Sequence, residues 1–126
     1  MNCTPNFVMR IEIPISVGEL IDKITILEIK SLFSNSEYIQ KELESLNEIK
    51  STLTQYISDC EIELKKVNEK LWKIEDKIRE KEKLQEFDNE FIELARSVYI
   101  TNDERSRIKR EIDERTGSHY REVKIY

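Results

Sequence analysis

The chain reads as mainly α-helical, an antiparallel bundle of three to four long helices with short β-strands at the N- and C-termini, and three observations lead there. Charged residues make up 37% of it while glycine and proline occur only twice each, a composition suited to long helices with solvated faces and poor in turn formers. Apolar residues recur at steps of three and four through most of the length. Capping residues punctuate those periodic runs. A chain of 126 residues suffices for one hydrophobic core, so a single helical domain over 1–126 is expected.

In chain order, residues 7–15 alternate, with Phe7, Met9, Ile11, Ile13 and Ile15 on one side, as in a half-buried strand that Pro14 marks as an end or an edge. Ser16 followed by Glu19 has the form of a capping box, which starts a first helix near Val17 and carries it to Phe33. Val17, Leu20, Ile21, Ile24, Leu27 and Leu32 form its broad apolar face with Glu28 inside it; Ile26, Ile29 and Phe33 form a narrower strip that holds Asp22. A buried carboxylate without a partner costs several kcal/mol, so each of these two acids requires a donor, either in a structural ion pair or in a binding site.

Residues 34–36 form a turn, and Ser36 caps a second helix over 38–57 with a seam of Ile39, Leu43, Leu46, Leu53 and Ile57. Ser58 and Glu61 repeat the capping-box pattern, starting a third helix near Asp59 that runs to about Leu84 on a seam of Leu64, Val67, Leu71, Ile74 and Ile78. Beside that seam Asn68, Trp72, Glu75 and Arg79 follow at steps of four, three and four, which stacks them on one flank. Such a flank is a ligand platform, an interface rim with Trp and Arg anchors, or a capped core with a surface ion pair.

Asp88 caps a fourth helix whose buried face starts with Phe91, Leu94, Ala95 and Val98. Extending that face brings Asn102, Arg105 and Lys109 inward together with Ile108 and Ile112, so either these polar groups meet partners or the helix breaks within 99–103, where Thr101 and Glu104 offer a new cap. A neighbouring stripe holds Arg96, Tyr99, Asp103 and Arg110, and its arginines are cations available to Glu28 and Glu75. Gly117 suits the left-handed position that ends the helix. Residues 120–126 alternate again, and the two terminal strands are left to pair within one chain or between two.

The net charge of −5 is interleaved in both signs, without a basic run carrying aromatics, so no nucleic-acid partner is expected. No apolar stretch reaches membrane-spanning length and no secretory segment opens the chain, which gives a cytoplasmic protein without membrane insertion. Cys3, Cys60 and His119 are too few and too scattered for a zinc site or a disulfide framework. No cofactor is expected; Glu28 and Glu75 have the oxygen chemistry of a hard-cation site, but nothing in the spacing demands a metal.

Three blocks, PISVGELIDKITILEIK (14–30), NEKLWKIEDKIREKE (68–82) and FIELARSVYITNDERSRIKREI (91–112), resemble a bacterial family catalogued only as a domain of unknown function. The resemblance implies a link to cell-surface polysaccharide gene neighbourhoods and no activity. LIDKITILEIK is also similar to the first helix of chorismate-mutase-like enzymes, where arginines such as Arg79, Arg96 and Arg105 would hold a dianion, although the later motifs of those enzymes are not evident here. Two functions therefore compete. One is a non-catalytic helical interaction or adaptor module, homodimeric and presenting the Trp72 flank to a protein partner. The other is a binder of, or enzyme for, an anionic metabolite such as a sugar phosphate or nucleotide sugar, its candidate residues being Glu28, Asn68, Trp72, Glu75, Arg79, Arg96, Tyr99, Asn102 and Arg105.

Overall fold

A computed structural model describes residues 9–125. Four helices follow one another: α1 (Val17–Ser31), α2 (Glu37–Lys50), α3 (Ser58–Leu84) and α4 (Asn89–Thr116). The two long ones pair antiparallel as a hairpin, with Arg115 against Asp59 at one end and Lys81 against Asp88 at the other. α1 lies across the base of that hairpin, packed on both α3 and α4, while α2 packs on α1 and reaches α3 through the Lys50–Glu61 ion pair. The core is therefore at the base: Leu20, Ile21 and Ile24 meet Cys60, Leu64, Val67, Ile108 and Ile112, and Leu43, Leu46 and Leu53 close it from the α2 side. Each fully buried aliphatic side chain there contributes roughly 1.5–3 kcal/mol.

The helix ends follow local chemistry. Ser16 accepts the Glu19 amide at 3.1 Å and Asp88 accepts the Phe91 amide at 3.0 Å, as N-caps do. Gly117 ends α4 with φ of 62°, and the Ser118 amide returns to the Asp113 carbonyl at 2.9 Å. α4 runs through 99–103 without a break, so the polar residues on its inner face have to find partners.

Several expectations are corrected. Among the described residues neither terminal segment forms a strand; Met9 and Ile11 are each 79% exposed. Alternation alone makes no sheet where no neighbouring strand supplies hydrogen bonds, and the C-terminal segment spends its own on the helices: the Glu122 amide donates to Asp113 and the Lys124 ammonium pairs with Asp103. Phe7, Val8 and Tyr126, at the outer ends of the expected strands, lie outside the described residues. The second helix ends at Lys50 rather than Ile57, because the Ser51 and Thr52 hydroxyls fold back onto the Glu48 and Ile49 carbonyls. Ile57 is still buried, as a loop residue. No capping box forms at Ser58: α3 begins there after an Ile57 cap without a side-chain bond, and Glu61 pairs with Lys50 instead. Leu32, expected on the apolar face of the first helix, lies past its end and is 75% exposed.

Candidate functional site

α1 crosses α4 antiparallel and close enough that a glycine is required. A Cβ on Gly18 would lie 2.5 Å from the Lys109 carbonyl oxygen and 2.8 Å from Asp113 Oδ1. In that approach the Gly18 amide donates to Asp113 Oδ1 at 2.6 Å, and the second oxygen of Asp113, a residue with no exposed surface, accepts the Glu122 amide at 2.8 Å. One carboxylate thus ties the start of α1 and the C-terminal segment to α4. Ser118 adds a hydroxyl that accepts the Val17 amide at 3.1 Å.

About one turn further along α1, Asp22 is 1% exposed and lies at the meeting of three helices. Arg105 of α4 clamps it with two bonds, Nε to Oδ1 at 2.9 Å and Nη2 to Oδ2 at 2.5 Å. Asn68 of α3 donates to the same Oδ1 at 2.9 Å and to Thr25 Oγ1 at 2.9 Å. The Thr25 hydroxyl in turn donates to the Asp22 carbonyl at 2.8 Å, so the network closes on itself. Burial pushes the Asp22 carboxyl up, but the bonds from Arg105 and Asn68 and the charges of Arg105 and Lys109 outweigh it and hold the group below its ordinary value. Next to it the nearly buried Lys109 ammonium reaches Glu19 at 2.8 Å and Glu122 at 3.3 Å; burial weakens its charge, yet those carboxylates hold its proton more firmly than usual.

Outside this network runs a groove of about 620 Å³ along α4, lined by Tyr99, Asn102, Arg105, Ser106 and Lys109 and edged by Glu122 and Lys124 of the C-terminal segment. Its cations are all engaged. Arg105 holds Asp22, Lys109 holds Glu19 and Glu122, and Lys124 holds Asp103, so four carboxylates stand against three positive groups. A ligand here finds polar rims and the face of Tyr99, without a free cation.

The nine residues singled out in the sequence are divided among four places. Asn68, Asn102 and Arg105 join around Asp22, with Tyr99 along the adjoining groove. Trp72 stacks on Phe33 with ring centres 5.2 Å apart, where the chain leaves α1. Glu75 and Arg79 pair with each other at 3.9 Å and Arg96 pairs with Glu93 at 3.3 Å, all four on the exposed surface. Glu28 meets Lys65 at 3.7 Å, with over a third of each side chain exposed, rather than Arg96 or Arg105. The buried acid of α1 is therefore Asp22, four positions after Gly18, and the partners of Asp113 and Lys109 were likewise hidden in the sequence. Their only visible signal was the inward polar run of 102, 105 and 109.

Chemically the centre is a clamp. The Cys60 thiol is buried in the core and pushed up to about 11 by that burial, which keeps it protonated and unreactive. Among the described residues no three His, Cys, Asp or Glu side chains gather as metal ligands, and no helix is long and apolar enough to cross a membrane. Residues 9–126 match a family described as a family of unknown function, DUF6165. No curated protein and no solved structure gives a significant match.

Proposed function

The chain belongs to this family of unknown function, and with no activity to inherit from it we propose, on physical grounds, a non-catalytic helical interaction module that works as a homodimer. The observation that carries the reading is the bare half of the hairpin. α1 ends at Ser31, where Phe33 stacks on Trp72, but α3 continues to Leu84, about three more turns, and α4 returns from Asn89. In that half Ile78, Phe91, Leu94 and Val98 are only partly buried, and Leu84 and Phe87 are 59% and 52% exposed. Two helices cannot close a core between them; four can, and two identical hairpins face to face supply four on a twofold axis. The second copy is the occupant that this geometry suits, since each copy presents the same apolar row. Trp72, Glu75 and Arg79 would then lie at the rim, where aromatic and arginine anchors are favoured. An adaptor role in bacterial cell-surface polysaccharide synthesis enters only through the resemblance of the three blocks.

Light scattering across a dilution series tests this reading. The wild type is expected to show the mass of two chains, and Phe91→Asp the mass of one with an unchanged helical circular dichroism spectrum. A single-chain mass for the wild type at every concentration overturns the proposal.

The second reading, an anionic metabolite held by Tyr99, Asn102 and Arg105, is favoured by their convergence on one groove. The excess of carboxylates there weighs against it. A thermal shift with a sugar phosphate or a nucleotide sugar, abolished by Tyr99→Ala, would restore it.

A further inference from the structure

Along α3, on the side that faces Leu94 of α4, Lys66, Lys70, Lys73 and Lys77 follow at steps of four, three and four and line a groove of about 430 Å³ with Ile74 and Leu94 among its walls. All four are exposed, and none has an ion-pair partner among the described residues. That sets them apart from the cations around Asp22, every one of which is paired. In the neighbouring stretch of α4 the acids are engaged elsewhere, Glu90 by Lys81 and Glu93 by Arg96. Glu69 is the only carboxylate in the lining. A chain of net charge −5 therefore keeps a row of four unneutralised positive charges on one helix flank, against the cost of their mutual repulsion.

We propose that this groove docks an acidic amphipathic helix of a partner protein. The spacing is that of one helix read by another: the row spans about 16 Å in three turns, so glutamates at steps of four, three and four on a facing helix meet the lysines in register. The walls agree with this. The lysine stems and the partly buried Leu94 give the groove apolar surface for the buried side of such a helix, over the buried Ile74. A nucleic acid fits less well, because no aromatic side chain lines the row for base stacking. A lipid surface fits less well too, because the site is concave and carries no exposed apolar residue to insert.

The test is fluorescence anisotropy with a labelled, stapled peptide helix that carries glutamates at the complementary spacing beside a leucine face. The full chain is titrated against it, with a scrambled peptide of the same composition, an oligo-dT strand and phosphatidylserine vesicles in parallel. Saturable binding of the helical peptide is expected, weakening as salt is raised and falling by about tenfold or more in Lys70→Glu/Lys73→Glu. These are exposed helix positions, and an unchanged circular dichroism spectrum shows that the fold is intact. Equal binding of the scrambled peptide, tighter binding of the oligonucleotide or the vesicles, or no binding of any probe each overturns the proposal.

Discussion

At the base of the molecule Asp22 is 1% exposed and receives two bonds from Arg105 and one from Asn68. At the tip of the hairpin Glu75 and Arg79 stand 3.9 Å apart with side chains 50% and 78% exposed. Both are carboxylate–guanidinium pairs, and they do different work. The base pair joins helices 83 residues apart in sequence and fixes how α1 lies across α4, since a one-turn slip would leave a buried charge with no partner. The tip pair joins two turns of one helix and fixes nothing that the helix does not already hold. Order at the base is thus set by polar groups that must be satisfied, whereas the Glu75–Arg79 pair stays in water beside apolar groups that ask for a cover, and the enclosed charge of that half, Lys81, serves the turn between its own two helices.

The largest effect is expected where the base loses one partner. Arg105→Ala leaves the Asp22 carboxylate buried with Asn68 alone, and about 3 kcal/mol of stability should be lost at neutral pH, the low end for a broken buried pair because the Arg105 side chain is itself 28% exposed. Acidity supplies the control. In the wild type the Asp22 carboxyl sits below its ordinary 3.8, so its contribution is fully present above that value and is lost as the pH falls further. Without Arg105, burial dominates and the group takes up a proton more readily, so acid relieves the variant while it weakens the wild type. Urea midpoints measured at neutral pH and near pH 3 should therefore converge, and a constant gap would mean that Asp22 is not the group left stranded.

The second comparison concerns backbone rather than charge. Gly18→Ala ordinarily favours a helix by about 1 kcal/mol, but here the added methyl would press on the Lys109 carbonyl and the Asp113 carboxylate. A net loss of about 1–3 kcal/mol is expected, as for overpacking of a tight contact. A rise in melting temperature would show that α1 and α4 are further apart than described.

How much of this was legible depends on how far apart the deciding residues lie. Ser16, Ser36, Asp88 and Gly117 act within a turn of themselves, and the helix ends they mark were readable from the chain. The seam of α2 continues in the sequence through Leu53 and Ile57, whereas the hydroxyls of Ser51 and Thr52 close the helix at Lys50. Continuity of α4 could not be read locally: Thr101 and Glu104 offered a cap, and the reason to refuse it, Arg105 on Asp22, comes from another helix. The same holds for Asp22 against Glu28. A helical wheel places both on the apolar surface of α1, but only the approach of α3 and α4 decides which is sealed, and that approach is set by Gly18, whose significance no period reveals. The terminal strands failed for the opposite reason, since their alternation was real and a neighbouring strand was missing. The lysine row on α3 is present in the sequence as well, and it stands out only once Glu90 and Glu93 of the neighbouring helix are seen to be held by Lys81 and Arg96.

The smallest effect is expected at the tip, and it bears on whether the hairpin stands alone. Arg79→Ala and Arg96→Ala remove exposed pairs within a single helix, with Glu75 and Glu93 left in water. Such pairs contribute a few tenths of a kcal/mol, so each variant should lie within about 0.5 kcal/mol of the wild type in chemical denaturation of a dilute sample. The same measurement at high protein concentration makes the number informative. If the bare hairpin pairs with a second copy, the Arg79 flank becomes the rim of an interface, and the loss should grow with concentration because the folded dimer is favoured by mass action. A small loss that is the same at every concentration would keep the charges of the tip in solvent and remove them from any dimer interface, leaving the apolar row of Ile78, Phe91 and Val98 to hold the two copies by itself.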